Sequence, residues 1–375
     1  MKPGISLGCL MLMAQFWPAG SVPASAQSYP NKSIRLIVPF APGLHASRKQ
    51  GSRLRDATAR ESCAASGIKA ATDTYQGYPS KSIRLIVPFA PGGGSDFVGR
   101  IVALKLGDAL GQTVVVDNRP GAAALVGTEL AARAAGDGYT LLLADSSLTI
   151  NVVYYRSAKY DPLKDFAPVA MAAETPYLLV VHPGVPYAAS LKDFIAAARA
   201  QPGKINVGSA GNGSGSHLTL ELLKLRAGIN LNHIPYKGTG PATADVIAGQ
   251  IQSTFTTAPP AVPLIKSGRM KALAAATEKR SPLLPDVPTF AEQGVDGVLV
   301  TNWYGVVSVA GTPVPVIKRL HEQIVKVVAL PDVQERFAAA ALEPSPLSPE
   351  QFRKLIEQEL QRWTKVVKEA GVKSE

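Results

Sequence analysis

Apolar positions along this chain fall in two kinds of stretch. Short, β-branched runs predict strands at 83–89, 113–117, 140–144, 177–182, 205–208, 233–236, 251–256, 272–276 and 303–309. Between them, apolar residues recur at helical spacing over 96–110, 125–135, 191–200, 216–227, 241–248, 313–329, 331–341 and 349–371. Ser190 with Asp193 forms a capping-box start, and Pro241 suits a first helical position. Strands that alternate with helices through short Gly- and Pro-marked joints predict an α/β fold with mostly parallel sheets.

Two of those joints stand out. The stretch VPFAPGGGSDFVGR, 87–100, takes a strand through Pro91 and three glycines into a helix, with Ser95 and Asp96 at the expected N-cap. The stretch GSAGNGSGSH, 208–217, follows another strand in the same way. Such a turn aims unpaired backbone N–H groups and the positive end of a helix dipole at one point, which binds anions without a charged side chain. Ligands of open α/β sheets sit at the carboxyl ends of strands. The turns are far apart in sequence, so they share a ligand only if each belongs to its own sheet and the sheets face across a cleft. The crossings are expected near 174–177 and 300–304, which makes one half discontinuous.

The N-terminus reads as a secretory signal. Lys2 is basic, 5–17 is apolar but too short to span a bilayer, and Ala24-Ser25-Ala26 is an A-x-A site with cleavage expected after Ala26. The mature chain is therefore expected outside the cytoplasm. The segment 29–43 repeats 78–92 with one difference, Asn31 against Ser80. Only the second copy continues into a helix, so it is expected to hold the place in the sheet. Residues 44–77 have little apolar periodicity and read as a flexible insert carrying Cys63. The other cysteine, Cys9, lies in the leader, so no disulfide is expected in the mature chain. The formal net charge of +11 is spread along the sequence without a nucleic-acid motif. It fits a basic exported protein with mild steering of anions.

No catalytic or cofactor motif survives inspection. The run 211–215 is not a G-x-S-x-G elbow, Gly92-Gly93-Gly94 lacks the rest of a dinucleotide fingerprint, and the five histidines lack metal-ligand spacing. His217 at a helix start and His233 on a strand read as local hydrogen-bonders ahead of ligands or bases. Asp96 has two readings, helix cap or acceptor of a ligand or bridging-water proton, because a bare carboxylate repels a bound anion. Tyr236-Lys237-Gly238 forms a third candidate loop, in which Lys237 is either a cation facing an anion or a solvated strand-end lysine. Trp303 reads as a buried residue at a crossing or a cleft residue.

Together these motifs resemble the exported substrate-binding proteins of the tripartite tricarboxylate transporters, the Bug family. The carriers are YPSKSIRLIVPFAPGGGSD, VVVDNRPGAAALVGTELAARAAGDGYTLLLADSS, YDPLKDFAPVA, GKINVGSAGNGSGSHLTLELL, HIPYKGTGPATADVIAGQ and PDVPTFAEQG, which cover the chain from Tyr78 onward. The resemblance implies a two-lobed periplasmic-binding-protein fold of the flytrap type. Lobe 1 would comprise 78–175 and 302–375, and lobe 2 would comprise 176–301. It implies a monomeric periplasmic receptor, without enzymatic activity, metal or cofactor, that hands a small carboxylate to inner-membrane permease subunits. The carboxylate would be held by main-chain groups and water at the two turns, with 144–147 bordering the site.

The candidate ligand-binding residues on one side are Phe89, Gly92, Gly93, Gly94, Ser95, Asp96 and Ser146. On the other side they are Ser209, Ala210, Gly211, Asn212, Gly213, Ser214 and His217, with Tyr236 and Lys237. Thr256 or Thr257 joins them, because IQSTFTTA, 251–258, lacks the aspartate that relatives often carry there. Ala122-Ala123-Ala124 also replaces a stretch that is richer in glycine in the family. Two other functions remain open at this stage: a degraded paralogue that binds nothing, and an exported carboxylate-ester hydrolase.

Overall fold

One strand organises the molecule. In the computed structural model, which describes residues 77–369 and Gly371, β4 (Phe166–Val181) is 16 residues long. Val169–Ala173 and Leu178–Val181 are almost wholly buried, as expected of a central strand covered on both faces. From Phe166 to Pro176 it pairs antiparallel with β9 (Thr301–Val309). At Tyr177 its partners change to β7 (Ser253–Thr257) and β8 (Lys271–Ala275).

The first half adds β1 (Ile83–Val87), β2 (Val114–Asn118) and β3 (Thr140–Asp145). The second adds β5 (Asn206–Ser209) and β6 (Asn232–Pro235), and the short β10 (Glu343–Pro344) pairs with β4. The order is β2-β1-β3-β9-β4-β7-β5-β6. β1 runs parallel to β2 and β3, and β5 runs parallel to β6 and β7. The expected parallel pairing thus holds at the outer strands, while β9 and β4 run antiparallel through the middle. The sequence suggested a strand only from 177. The preceding 166–176 carries Pro168, Glu174 and Pro176, which hide a strand in a propensity reading.

Helices cover the sheet where their apolar stripes allow. α1 (Gly94–Leu110) and α2 (Leu125–Ala132) follow β1 and β2, and α3 (Ser147–Tyr154) follows β3. In the second half stand α4 (Leu191–Ala200), α5 (Gly215–Ala227), α6 (Thr239–Ile247) and α7 (Ala258–Lys266). α8 (Val314–Val328), α9 (Pro331–Ala339) and α10 (Pro349–Glu369) close the chain. α8 buries Val316, Leu320, Ile324 and Val328, one face of a helix, against the core of the first half. α10 joins both halves: Phe352 and Ile356 pack with β9's Trp303, whereas Trp363 and Val367 enter the core of the second half. Trp363 is fully buried, and its Nε1 donates to Glu359 at 2.6 Å. Truncating such a residue to alanine costs about 3–5 kcal/mol.

Two helices were not anticipated. α3 is short and lacks an apolar period of its own. α7 reads APPAVPLIK, with prolines at its start and Pro263 inside. α6 begins at Thr239, two residues before Pro241. The second copy of the repeat forms β1. The leader, the first copy, the insert and both cysteines lie outside the described residues.

Candidate functional site

The first turn ends in α1. Gly93 is the N-cap and Gly92 carries φ +85°, a conformation that favours glycine. A Cβ on Gly94 would run into the Tyr304 hydroxyl and Thr257 Oγ1, so only glycine lets this backbone approach them. Asp96 is therefore not the N-cap; it sits in the first helical turn and reaches back to the Gly92 N–H at 3.1 Å. Its carboxylate also binds Arg100, at 2.9 Å to each oxygen, and Asn118 Nδ2 at 3.0 Å. Burial alone would raise its pKa, but the Arg100, Gly92 and Asn118 hydrogen bonds prevail and hold it below the usual carboxylate range. Asn118 donates also to the Phe89 carbonyl, which ties the turn to the end of β2.

The second turn ends in α5 and is stapled by neutral groups. Ser214 caps the helix, accepting from His217 N and donating to the Gly211 carbonyl at 2.7 Å. The Ala210, Gly211 and Gly213 N–H groups go to Ser216 Oγ, Ser209 Oγ and His217 Nδ1. The expectation that this turn offers its N–H groups outward fails at these three positions, because hydroxyl and imidazole side chains already occupy them. Ser209 Oγ lies 2.6 Å from His233 Nε2, and the His217 and His233 rings stack at 4.2 Å. Burial pushes His217 down to about 4 and His233 to about 3, so both are neutral at neutral pH.

Between the turns lies a small, partly open cavity. Its wall is Phe89, Gly93, Gly94, Ser95, Asp145, Ser147, Tyr177, Ala210, Ser214, Thr239, Thr257, Asn302 and Tyr304. These residues stand at the N-termini of five helices, α1, α3, α5, α6 and α7, and at the point where β4 and β9 meet. Each helix start carries about half a positive charge and several N–H groups without intrahelical acceptors. Among the described residues, no lysine, arginine or histidine lines the cavity. Ser146 Oγ and the Tyr177 hydroxyl both donate to Asn302 Oδ1, at 2.7 and 3.1 Å. Thr257 Oγ1 is buried without a well-formed hydrogen bond. Such a wall offers fixed neutral donors to an anion.

Of the sequence-predicted residues, the fold brings Phe89, Gly93, Gly94, Ser95, Ala210 and Ser214 to this wall. The others stand away from it, each for a visible reason. Gly92 and Asp96 serve the first turn's own bonding, and Ser209, Gly211, Gly213 and His217 serve the second. Ser146 lies one layer back and orients Asn302. The Asn212 carbonyl accepts from the Tyr155 hydroxyl. Tyr236 donates to Asp245 at 2.6 Å, and Lys237 is exposed, its carbonyl accepting from Ala90 N. Thr256 contacts Thr243, and strand alternation turns Thr257 to the cavity instead. Trp303 is buried against Phe352 and is absent from the wall.

The wall also takes Asp145 and Ser147 from the bordering segment 144–147, and Thr257, the second of the two threonine alternatives; four wall residues were not among the predicted site: Tyr177, Thr239, Asn302 and Tyr304. Asp145 and Ser147 also carry a strand-turn-helix signal, LLLADSSL, of the kind seen at the two glycine turns. Tyr177, Asn302 and Tyr304 lie within long strands, and no local pattern marks them. Among the described residues no cluster suits a metal ion, and no helix is long and apolar enough to cross a membrane.

The sheet order and the shared β4 define a two-lobed periplasmic-binding-protein fold. Residues 98–372 match the family described as Tripartite tricarboxylate transporter family receptor, and the chain belongs to that family. It is 40% identical over 355 residues to protein BugT of Bordetella pertussis, with 94% of each chain covered. The solved periplasmic binding protein BugD is 34% identical with a TM-score of 0.77, covering 80% of this chain and 100% of that one. The R. palustris protein Rpa4515, solved with adipate, is 34% identical with a TM-score of 0.75, covering 78% and 98%. The family and these structural neighbours are binding proteins rather than enzymes.

Proposed function

We propose that this chain is an exported, monomeric receptor that encloses a small carboxylate-bearing solute and delivers it to inner-membrane permease subunits. The observation that carries this reading is the meeting of five helix N-termini around a cavity that no cationic side chain among the described residues lines. An anion there is held by dipoles and hydroxyls of fixed geometry, which cost little reorganisation. The adipate-bound relative supports a carboxylate as the solute. The lobes would be 78–175 with 302–375 and 176–301, a division supported by the change of β4 partners between Pro176 and Tyr177. Export would follow the leader, with cleavage after Ala26 and residence in the periplasm.

The hydrolase reading is weaker. Ser209 and His233 are within hydrogen-bond distance, but Ser209 accepts from Gly211 N and is absent from the cavity wall. An imidazole pushed to about 3 is also a poor base for a serine at neutral pH.

The test is a thermal-shift screen of the mature protein, from Gln27, against a panel of carboxylates. A ligand at about 100 times its Kd adds roughly 2.7 kcal/mol. The receptor reading expects a clear shift with one chemical group of acids and stoichiometric binding without turnover. A cooperative melt that no carboxylate moves would overturn it.

A further inference from the structure

Three acids are buried among the described residues, and two have an arginine. Asp96 pairs with Arg100, and Glu359 pairs with Arg362 at 3.2 Å. The third, Asp145, is 5% exposed and lines the cavity. One of its oxygens accepts from Ser147 N at 2.9 Å, and the other from Ser95 Oγ at a long 3.3 Å. Among the described residues no lysine, arginine or histidine pairs with it. A buried carboxylate with hydrogen bonds but no counter-charge is costly, and the missing partner is a positive charge.

We propose that Asp145 determines the specificity of this cavity by receiving the ammonium group of the solute, so that the ligand is an amino-carboxylate rather than a plain dicarboxylate. This rests on the carboxylate-receptor reading and narrows it. The helix N-termini serve the ligand's carboxylate, and Asp145 at the start of α3 serves a cation placed next to it. A plain dicarboxylate would bring two negative charges beside Asp145 with no lysine, arginine or histidine in the wall to offset them. A ligand hydroxyl would add one more hydrogen bond to Asp145 but no charge. The hydroxyls of Ser95, Tyr177 and Tyr304 accept as well as donate, so they suit the remaining ammonium protons.

The ionisation of the site agrees. Burial pushes the Asp145 carboxyl up to about 6, which leaves it mostly charged at neutral pH. The tyrosines that feel its charge, Tyr160, Tyr177 and Tyr304, are all raised by burial and keep their protons. Because the folded carboxyl titrates above its unfolded value, the unliganded fold loses stability as pH rises from about 4 to about 6. Asp145→Asn removes that loss, so the unliganded variant should melt above the wild type at pH 7.5 and together with it at pH 4.

The deciding experiment is titration calorimetry of mature wild type and Asp145→Asn with glutamate, aspartate and neutral amino acids, each beside its deaminated counterpart such as glutarate or succinate. The expected result is an amino acid that binds wild type on the order of 100-fold more tightly than its deaminated analogue. Asp145→Asn should erase that preference. A deaminated acid that binds wild type as tightly as the amino acid, or tightens about tenfold for each unit of falling pH, would overturn the proposal in favour of a plain or proton-sharing carboxylate site. If no acid of either kind binds, the receptor reading itself fails.

Discussion

The two glycine-rich turns look alike in sequence and are held by opposite means. The first is anchored by a charge, Asp96, clamped between Arg100, Asn118 and the Gly92 N–H. The second is anchored by neutral groups, a serine network and two stacked, uncharged histidines. The first also presses its backbone against the β6–α6 loop, where Ala90 N donates to the Lys237 carbonyl and Gly93 faces Thr239. One repeated sequence device, strand to glycines to helix, thus shows where a helix begins but not what keeps the turn in place. That is decided by side chains brought from elsewhere, Asn118 for one turn and His233 for the other.

The comparison breaks most sharply at Gly240. A Cβ there would lie 2.6 Å from the Pro91 carbonyl and 2.8 Å from the Gly92 carbonyl carbon, both backbone atoms that cannot swing aside. Gly240→Ala should push the first turn away from the α6 start. Overpacking of this kind costs about 1–3 kcal/mol, so calorimetry should read a loss of about 10- to 100-fold in affinity. Unchanged affinity would mean that the contact is not part of the bound form.

Acid should separate the two turns. His217 is lowered from 6.5 to about 4, so below pH 6.5 the unfolded chain takes up protons that the fold excludes. Stability contributed by this group is present above about 6.5 and is lost as pH falls toward about 4, on the order of 3 kcal/mol. His233 works in the same direction. Asp96, held below the usual carboxylate range, keeps its contribution throughout that window and loses it only below. Hydrogen exchange at pH 4.5 should therefore find the second turn open and the first still protected. His217→Asn should flatten the slope of stability against pH. Equal loosening of both turns would refute the division into charged and neutral anchors.

Asp96→Ala should cost about 2 kcal/mol in urea unfolding at pH 7, because it leaves the Gly92 N–H without its acceptor and takes from Asn118 and Arg100 the carboxylate they bind. The variant should fold and should weaken binding only through displacement of the turn, since Asp96 stands behind the cavity wall. A larger loss of affinity than of stability would place Asp96 at the ligand after all.

The smallest effect belongs to the alanine triplet beside the second turn. Ala122, Ala123 and Ala124 adopt φ of +42°, +48° and +82°, a region that suits glycine. Ala122 is exposed, so Ala122→Gly loses no packing and relieves the strain at the cost of chain entropy. The melting temperature should rise slightly, for a gain of about 0.5–1 kcal/mol. A fall would show that Ala122 is held there by something other than its neighbours' packing.

Local pattern carried much of the architecture. The alternation of strand and helix, the start of α4 at Ser190 and the two glycine turns were legible because each depends on residues near one another in sequence. The cavity was legible only where those turns touch it. Gly93, Gly94, Ser95, Ala210 and Ser214 could be named, while Tyr177, Asn302 and Tyr304 could not, because their place on the wall depends on where β4 changes partners. The N–H groups of Ala210, Gly211 and Gly213 read as free donors in the sequence, because a sequence shows a donor but not the acceptor that already holds it. The chain by itself determined an α/β fold, its family and the two points where helices begin. Only the tertiary structure decided that three further helix starts join them, and that one buried aspartate faces the same cavity without a counter-charge. Such charge balance depends on which residues long-range pairing brings within a few ångströms.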